Sequence, residues 1–185
     1  MAHFTDHLTG ENIAFIARQP VFFVATAAEG ARINLSPKGY DVFRILDPNR
    51  VVWLDLGGSG NETQAHLTAD GRITIMFCAF DKPASILRIY GRGRPVHPEE
   101  ESFVQLAAHF PRLPGVRQIF DIAVESVQTS CGWGVPHMSL ERERPTLVKY
   151  HAQQEPAARL AKIASRTKSI DGLPVRVQTV IPDWD

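Results

Sequence analysis

What most constrains this chain is a succession of short apolar segments, each closed by turn-forming residues before the next begins. Residues 21–27 are apolar and rich in strand formers, and Glu29-Gly30 turns the chain into a second strand over 32–36. Further strands are predicted over 40–46 and 50–56, parted by Asp47-Pro48-Asn49, and then over 72–80, 85–96 and 119–130. In 50–56, Val51, Trp53 and Asp55 alternate with Val52, Leu54 and Leu56. Both faces are largely apolar, which predicts a central strand.

Helices interrupt this series instead of alternating with it. Thr9 can cap a helix over 9–19, with Glu11 in its first turn and Ile13, Ile16 and Ala17 as its apolar face, and Pro20 ends it. A short helix over 61–69 stops at Asp70-Gly71. Another begins at Pro98, with Glu99, Glu100 and Glu101 at its positive end and Phe103, Leu106, Ala107 and Phe110 as its buried stripe. Residues 136–156 read as a long polar loop, followed by a helix over 156–164 and a turn at Asp171-Gly172. Six or seven strands joined mainly by hairpins predict a mainly β, antiparallel barrel with inserted helices. A doubly wound parallel sheet would need a helix after nearly every strand. No repeat or linker divides the chain, so 1–185 reads as one domain with a C-terminal tail from about residue 137.

Twenty basic residues balance twenty acidic ones, so no global field draws the protein to nucleic acid or anionic membrane. Cys78 and Cys131 are too few for a disulfide framework and read as two buried, reduced thiols. The first residues show neither a basic leader nor an apolar signal core, and the apolar runs are too short to span a bilayer. A soluble, cytoplasmic protein is the expectation.

Four stretches can carry chemistry. In Ile33-Asn34-Leu35-Ser36-Pro37-Lys38-Gly39 the proline and glycine are expected to break the strand. The break would expose backbone amides, the Ser36 hydroxyl and the Lys38 ammonium to an anionic or carbonyl-rich ligand, or leave only a bulged end with a solvated lysine. Gly57-Gly58-Ser59-Gly60-Asn61-Glu62-Thr63 runs from a strand into a helix. Ser59 and Thr63 could hydrogen-bond phosphate there, and Asn61 could cap the helix; the plainer alternative is a surface loop. Arg88, Tyr90, Arg92 and Arg94 share one strand face, answered by an anion or by the acids Glu99 to Glu101 and Asp121. Trp133, between Gly132 and Gly134, is either a packing plug or a stacking surface for an aromatic ring.

Other constellations are missing. The histidines form no His-Glu-x-x-His pattern, the cysteines give no zinc spacing, and no Gly-x-Ser-x-Gly elbow is present. His66 reads as a helix-surface residue one turn beyond the glycines.

Taken in order, these segments resemble the flavin-binding split-barrel family that includes pyridoxamine 5′-phosphate oxidase. The resemblance covers about 15–135. It rests on the strand leading into Ser-Pro-Lys-Gly, the strand "VVWLDL", the glycine turn into a short helix, "RITIMF", "ILRIYGRGRPV", and Cys-Gly-Trp-Gly-Val-Pro. It implies a Greek-key split barrel and FMN held between the two barrels of a homodimer. Asn34, Ser36, Pro37 and Lys38 then occupy the strand that contacts the flavin ring and phosphate. Ser59, Gly60, Asn61 and Thr63 occupy the stretch that holds the phosphate, and Arg88 lies on the strand along the interface, with Trp133 beside the ring. Glu62 stands where the vitamin-processing oxidases are more basic, which leaves phosphate to Ser59, Asn61, Thr63, the helix amides and Lys38. The tail has Pro182 and Trp184 but lacks the Arg-Leu-x-Pro segment of those oxidases, so pyridoxamine phosphate is not the expected substrate.

The resulting expectation is an FMN-dependent oxidoreductase acting on a small molecule, its chemistry supplied by the cofactor and not by a protein acid–base pair. The alternatives are a carrier barrel for flavin, haem or a deazaflavin, with His66 or His137 as the haem ligand, and a nucleic-acid-binding barrel using the arginine strand.

Overall fold

The computed structural model describes residues 2–182, so Trp184 lies outside the described residues. In chain order the elements are β1 (His3–Thr5), α1 (Gly10–Ile16), β2 (Phe22–Thr26), β3 (Asn34–Lys38), β4 (Phe43–Asp47), β5 (Arg50–Leu56), α2 (Glu62–Ala69), β6 (Arg72–Cys78), β7 (Ser85–Val96), α3 (Glu101–Ala107), β8 (Val116–Cys131), α4 (Thr146–Ala152) and α5 (Pro156–Ala164). All eight strands join one antiparallel sheet, ordered β3-β2-β6-β7-β8-β5-β4, with β1 also paired to β8.

The sheet curls until its two ends meet. Phe22 of β2 and Phe43 of β4, almost at opposite ends of the strand order, have ring centroids 5.2 Å apart. Phe77 of β6 packs on both, at 5.5 and 5.2 Å. Trp53 and Phe120 add a second aromatic pair at 4.3 Å, and both are fully buried. Around the resulting ring, β2, β3, β4 and β5 are consecutive, and α2 carries the chain across β8 and β7 to β6. That is the Greek-key step of a split barrel. Strand β5, paired to both β4 and β8, is central as its two apolar faces predict.

Several local readings change. The strand at Ser36-Pro37-Lys38 is not broken: β3 runs through Pro37, which pairs with Phe23. The strand is at the edge of the sheet, where a residue without an N–H costs no ladder bond on the open side. In α1 the Thr9–Asn12 capping box forms as a Thr cap allows, but Asn12, Phe15 and Ile16 are buried while Ile13 and Ala17 are exposed. The expected loop over 136–156 contains α4, and β1 adds a strand not foreseen. Helix α3 begins three residues after Pro98 but buries all four predicted side chains. Cys78 is buried, which pushes its thiol pKa up, whereas Cys131 is exposed.

Candidate functional site

Helix α2 packs on β7, β2 and β6, and the side chains around its start serve three different surroundings. Thr63 reaches β3: its hydroxyl accepts from Asn34 Nδ2 at 3.1 Å, and Asn34 also donates to Thr26 Oγ1 at 3.2 Å. Cross-strand partners share a sheet face, so Asn34, Ser36 and Lys38, paired with Thr26, Val24 and Phe22, lie on the core-facing side of β3. The Ser36 hydroxyl there is buried without a partner. His66, predicted on the helix surface, is instead 1% exposed, with Nδ1 3.1 Å from Thr26 Oγ1. Its sequence neighbours gave no sign of this, because burial comes from α2 settling on β2.

The second surrounding is a buried polar network. Asp55 Oδ2 accepts from Arg117 at 2.8 Å and from Gln118 Nε2 at 2.9 Å, and Arg117 also donates to the Gly60 carbonyl at 2.8 Å. Gln118 donates to Asn61 Oδ1 at 2.8 Å, so Asn61 serves this network and makes no side-chain cap on α2. Gln64 completes the chain with a bond to Gln118 Oε1 at 2.9 Å, 3.5 Å from His97. Sequence reading missed this set because its members come from β5, α2 and β8. A charged Asp inside an apolar strand was the one visible sign, since buried carboxylates require partners.

The third is the C-terminal tail. Glu62 accepts the Ile170 N–H at 3.1 Å, and Asp171 holds the Arg32 backbone N–H at 2.8 Å and its guanidinium at 2.9 Å. Further on, Glu99 accepts both the N–H and the hydroxyl of Thr179, at 2.7 and 2.8 Å. Helices α4 and α5 and this tail close a cavity over the glycine turn, lined in part by Ser59 and Asn61.

The structure thus brings the two central motifs together but divides the ten predicted residues. Asn34, Ser36, Lys38 and Thr63 gather between β3 and α2. Ser59 and Asn61 turn toward the tail cavity, with the Gly60 carbonyl held by Arg117. Pro37 and Arg88 lie in one cross-strand row on the opposite, outer face, Pro37–Phe23–Met76–Arg88–Gln128–Phe4. Trp133 is 87% exposed and so is not a packing plug. The outer face also shows Leu35 at 66% and Phe4 at 60% exposure. Of the remaining arginines on β7, Arg92 meets Glu125 at 3.3 Å and Arg94 meets Glu100 at 3.2 Å, the structural pairing that Glu99 to Glu101 offered.

Comparison with known proteins adds the following. The sequence profile described as pyridoxamine 5′-phosphate oxidase matches residues 8–131. The pyridoxamine 5′-phosphate oxidase family protein ustO of Aspergillus flavus is 32% identical over 193 aligned positions, covering 94% of this chain and 78% of that protein. Among solved structures, a histidine-to-alanine variant of HupZ from Group A Streptococcus superposes with a TM-score of 0.55 at 21% identity, over 66% of this chain and 99% of that one. A Lactobacillus delbrueckii protein named as a candidate pyridoxamine 5′-phosphate oxidase gives 0.55 at 15% identity, over 66% and 94%. At these identities the two structures speak for the fold alone.

Proposed function

The chain belongs to the pyridoxamine 5′-phosphate oxidase family, and from that premise we propose that it is an FMN-binding flavoprotein acting as an oxidoreductase on a small molecule, as a homodimer. The observation that carries the reading is the meeting of β3 and α2. Asn34 and Thr63 join across 3.1 Å beside a buried Ser36 hydroxyl that has no partner, at the two places from which this family holds flavin. A buried hydroxyl left unpaired is unfavourable, and a ligand oxygen or nitrogen would relieve it.

These residues fit a flavin nucleotide. Lys38 supplies positive charge on the same face as Ser36 and Asn34. Glu62, the acid at the helix start, is engaged by the tail through Ile170. Bound FMN would supply hydride or electron transfer. The protein's part is to orient it from Asn34, Ser36, Lys38 and Thr63 at the β3 edge. Leu35 on β3 and Phe4 on β1 are the exposed apolar side chains that this outer face offers to a second copy.

The reading is tested by the absorption spectrum of protein purified without added cofactor and then supplied with FMN. Flavin bands, released on denaturation at about one FMN per chain, are expected. The Lys38→Ala/Thr63→Ala double variant should retain about tenfold less flavin with an unchanged circular dichroism spectrum. A Soret band would move the assignment to haem. Wild-type retention in the double variant would reject the β3–α2 site.

A further inference from the structure

Beside the start of α2, the glycine turn and the C-terminal helices border a cavity of about 310 Å³. That is at the lower end of the range for small-molecule sites, about 300–1,000 Å³. Two features of its lining point to an occupant. Gln64 and Gln178 both line it, at 1% and 3% exposure, and each has a buried amide oxygen with no donor. Their amide nitrogens are already committed, Gln64 to Gln118 Oε1 and the Arg176 carbonyl, Gln178 to the Val180 carbonyl. Reversing either amide would therefore only exchange one unmet group for another.

The second feature is charge. Arg117, Arg159, Lys162, Arg166 and Arg176 line the cavity, Arg176 paired with Glu99 and Glu100, and among the described residues no Asp or Glu lines it. Arg117 is neutralised from behind by Asp55. Lys162 and Arg166 meet no carboxylate among the described residues: Lys162 contacts the Tyr150 hydroxyl and ring, and Arg166 the Gly58 carbonyl. Neutral oxygens leave that positive charge unbalanced at the mouth of the cavity, where it can draw in an anion.

We propose that this cavity binds a small hydroxylated anion, a phosphate or carboxylate whose hydroxyls donate to Gln64 and Gln178 while Lys162 and Arg166 hold its charge. The site stands whether or not flavin binds on the β3 side. Because Ser59 and Asn61 also line it, the ribityl phosphate of FMN presents the same chemistry, and the experiment must separate the two sources.

Isothermal titration of the full chain, freed of anions, with sn-glycerol 3-phosphate, with glycerate and with glycerol supplies the test, each run before and after FMN is added. Binding of at least one anion, none of glycerol, and the same affinity with FMN present is the expected result. Gln178→Leu and Arg166→Ala should each weaken the anion about tenfold while melting temperature and flavin retention stay unchanged. Failure of both anions at millimolar concentration, or wild-type affinity in both variants, overturns the proposal. Displacement of the anion by FMN also overturns it and gives the cavity to the flavin. Anion binding by a protein that takes up no FMN would support this site while rejecting the flavin reading.

Discussion

Gly115 adopts a φ of +89°, and a Cβ placed there would lie 2.2 Å from the His151 ring. His151 in turn bonds through Nε2 to the Gly57 carbonyl at 2.7 Å, so two glycines form the seat on which α4 docks. Gly115→Ala combines a strained backbone with a clash and should lower stability by about 1–3 kcal/mol in urea unfolding. Adding His151→Ala should restore part of that loss if the clash matters; no recovery would leave the backbone alone responsible. His97 gives a second prediction at this scale. Burial, and then the Arg176 charge, hold its pKa below the ordinary imidazole range, against the opposing pull of Glu100 and Glu99. The folded protein therefore favours neutral His97, and the unfolded chain takes up the proton first as pH falls. This contribution is fully present above about pH 6.5 and is lost as pH falls from there through the folded pKa. Urea midpoints should drop between pH 7.5 and 5.5, and His97→Asn should flatten the drop. An equal drop in the variant would assign it to other groups.

Among the described residues the tail after α5 pairs with no strand of the barrel, and carboxylates clamp it around residues 169–172 and at Thr179. Glu62 and Asp171 fix the turn at 169–172, and Glu99 fixes Thr179. Such exposed contacts are worth about 0.5–1 kcal/mol apiece, so the tail is expected to open before the barrel does. Glu62→Ala/Glu99→Ala should speed tryptic cleavage in the tail, after Lys168 or Arg176, by about tenfold and leave the barrel's thermal unfolding nearly unchanged. Equal cleavage rates would show that the apolar contacts of Val175, which is buried, hold the tail instead. At the same scale, β7 carries Gly91 at a register shift, where an added Cβ would lie 2.2 Å from the Ala123 carbonyl. The glycine there answers the close approach of β8 at a bulge.

For the molecule as a whole, the sheet has an inner face filled by the aromatic cluster and an outer face that ends in exposed Leu35 and Phe4. A homodimer through that outer face should sediment at twice the chain mass of 20.6 kDa. Leu35→Glu/Phe4→Glu should shift it to monomer. A dimer unaffected by both changes would place the interface elsewhere.

Sequence alone determined what local pattern can encode. Strand β7 begins and ends where its alternation and flanking turns put it, and Phe103, Leu106, Ala107 and Phe110 face the core because a 3.6-residue period specifies one buried stripe. The motif order also sufficed to give the family. Tertiary structure alone decided which side each motif faces. Asn61, Glu62 and Thr63 are consecutive at the start of α2, yet they serve a buried network, the tail and the β3 cluster, because the rotation of α2 on the barrel is set by its neighbours. Helix α4 was invisible for the same reason: seven residues have little helical stability in isolation, and this helix is held by His151 against glycines far away in the chain. Local sequence fixes the elements whose pattern is complete in themselves, whereas packing between distant segments fixes short elements such as α4 and decides which side chains share a site.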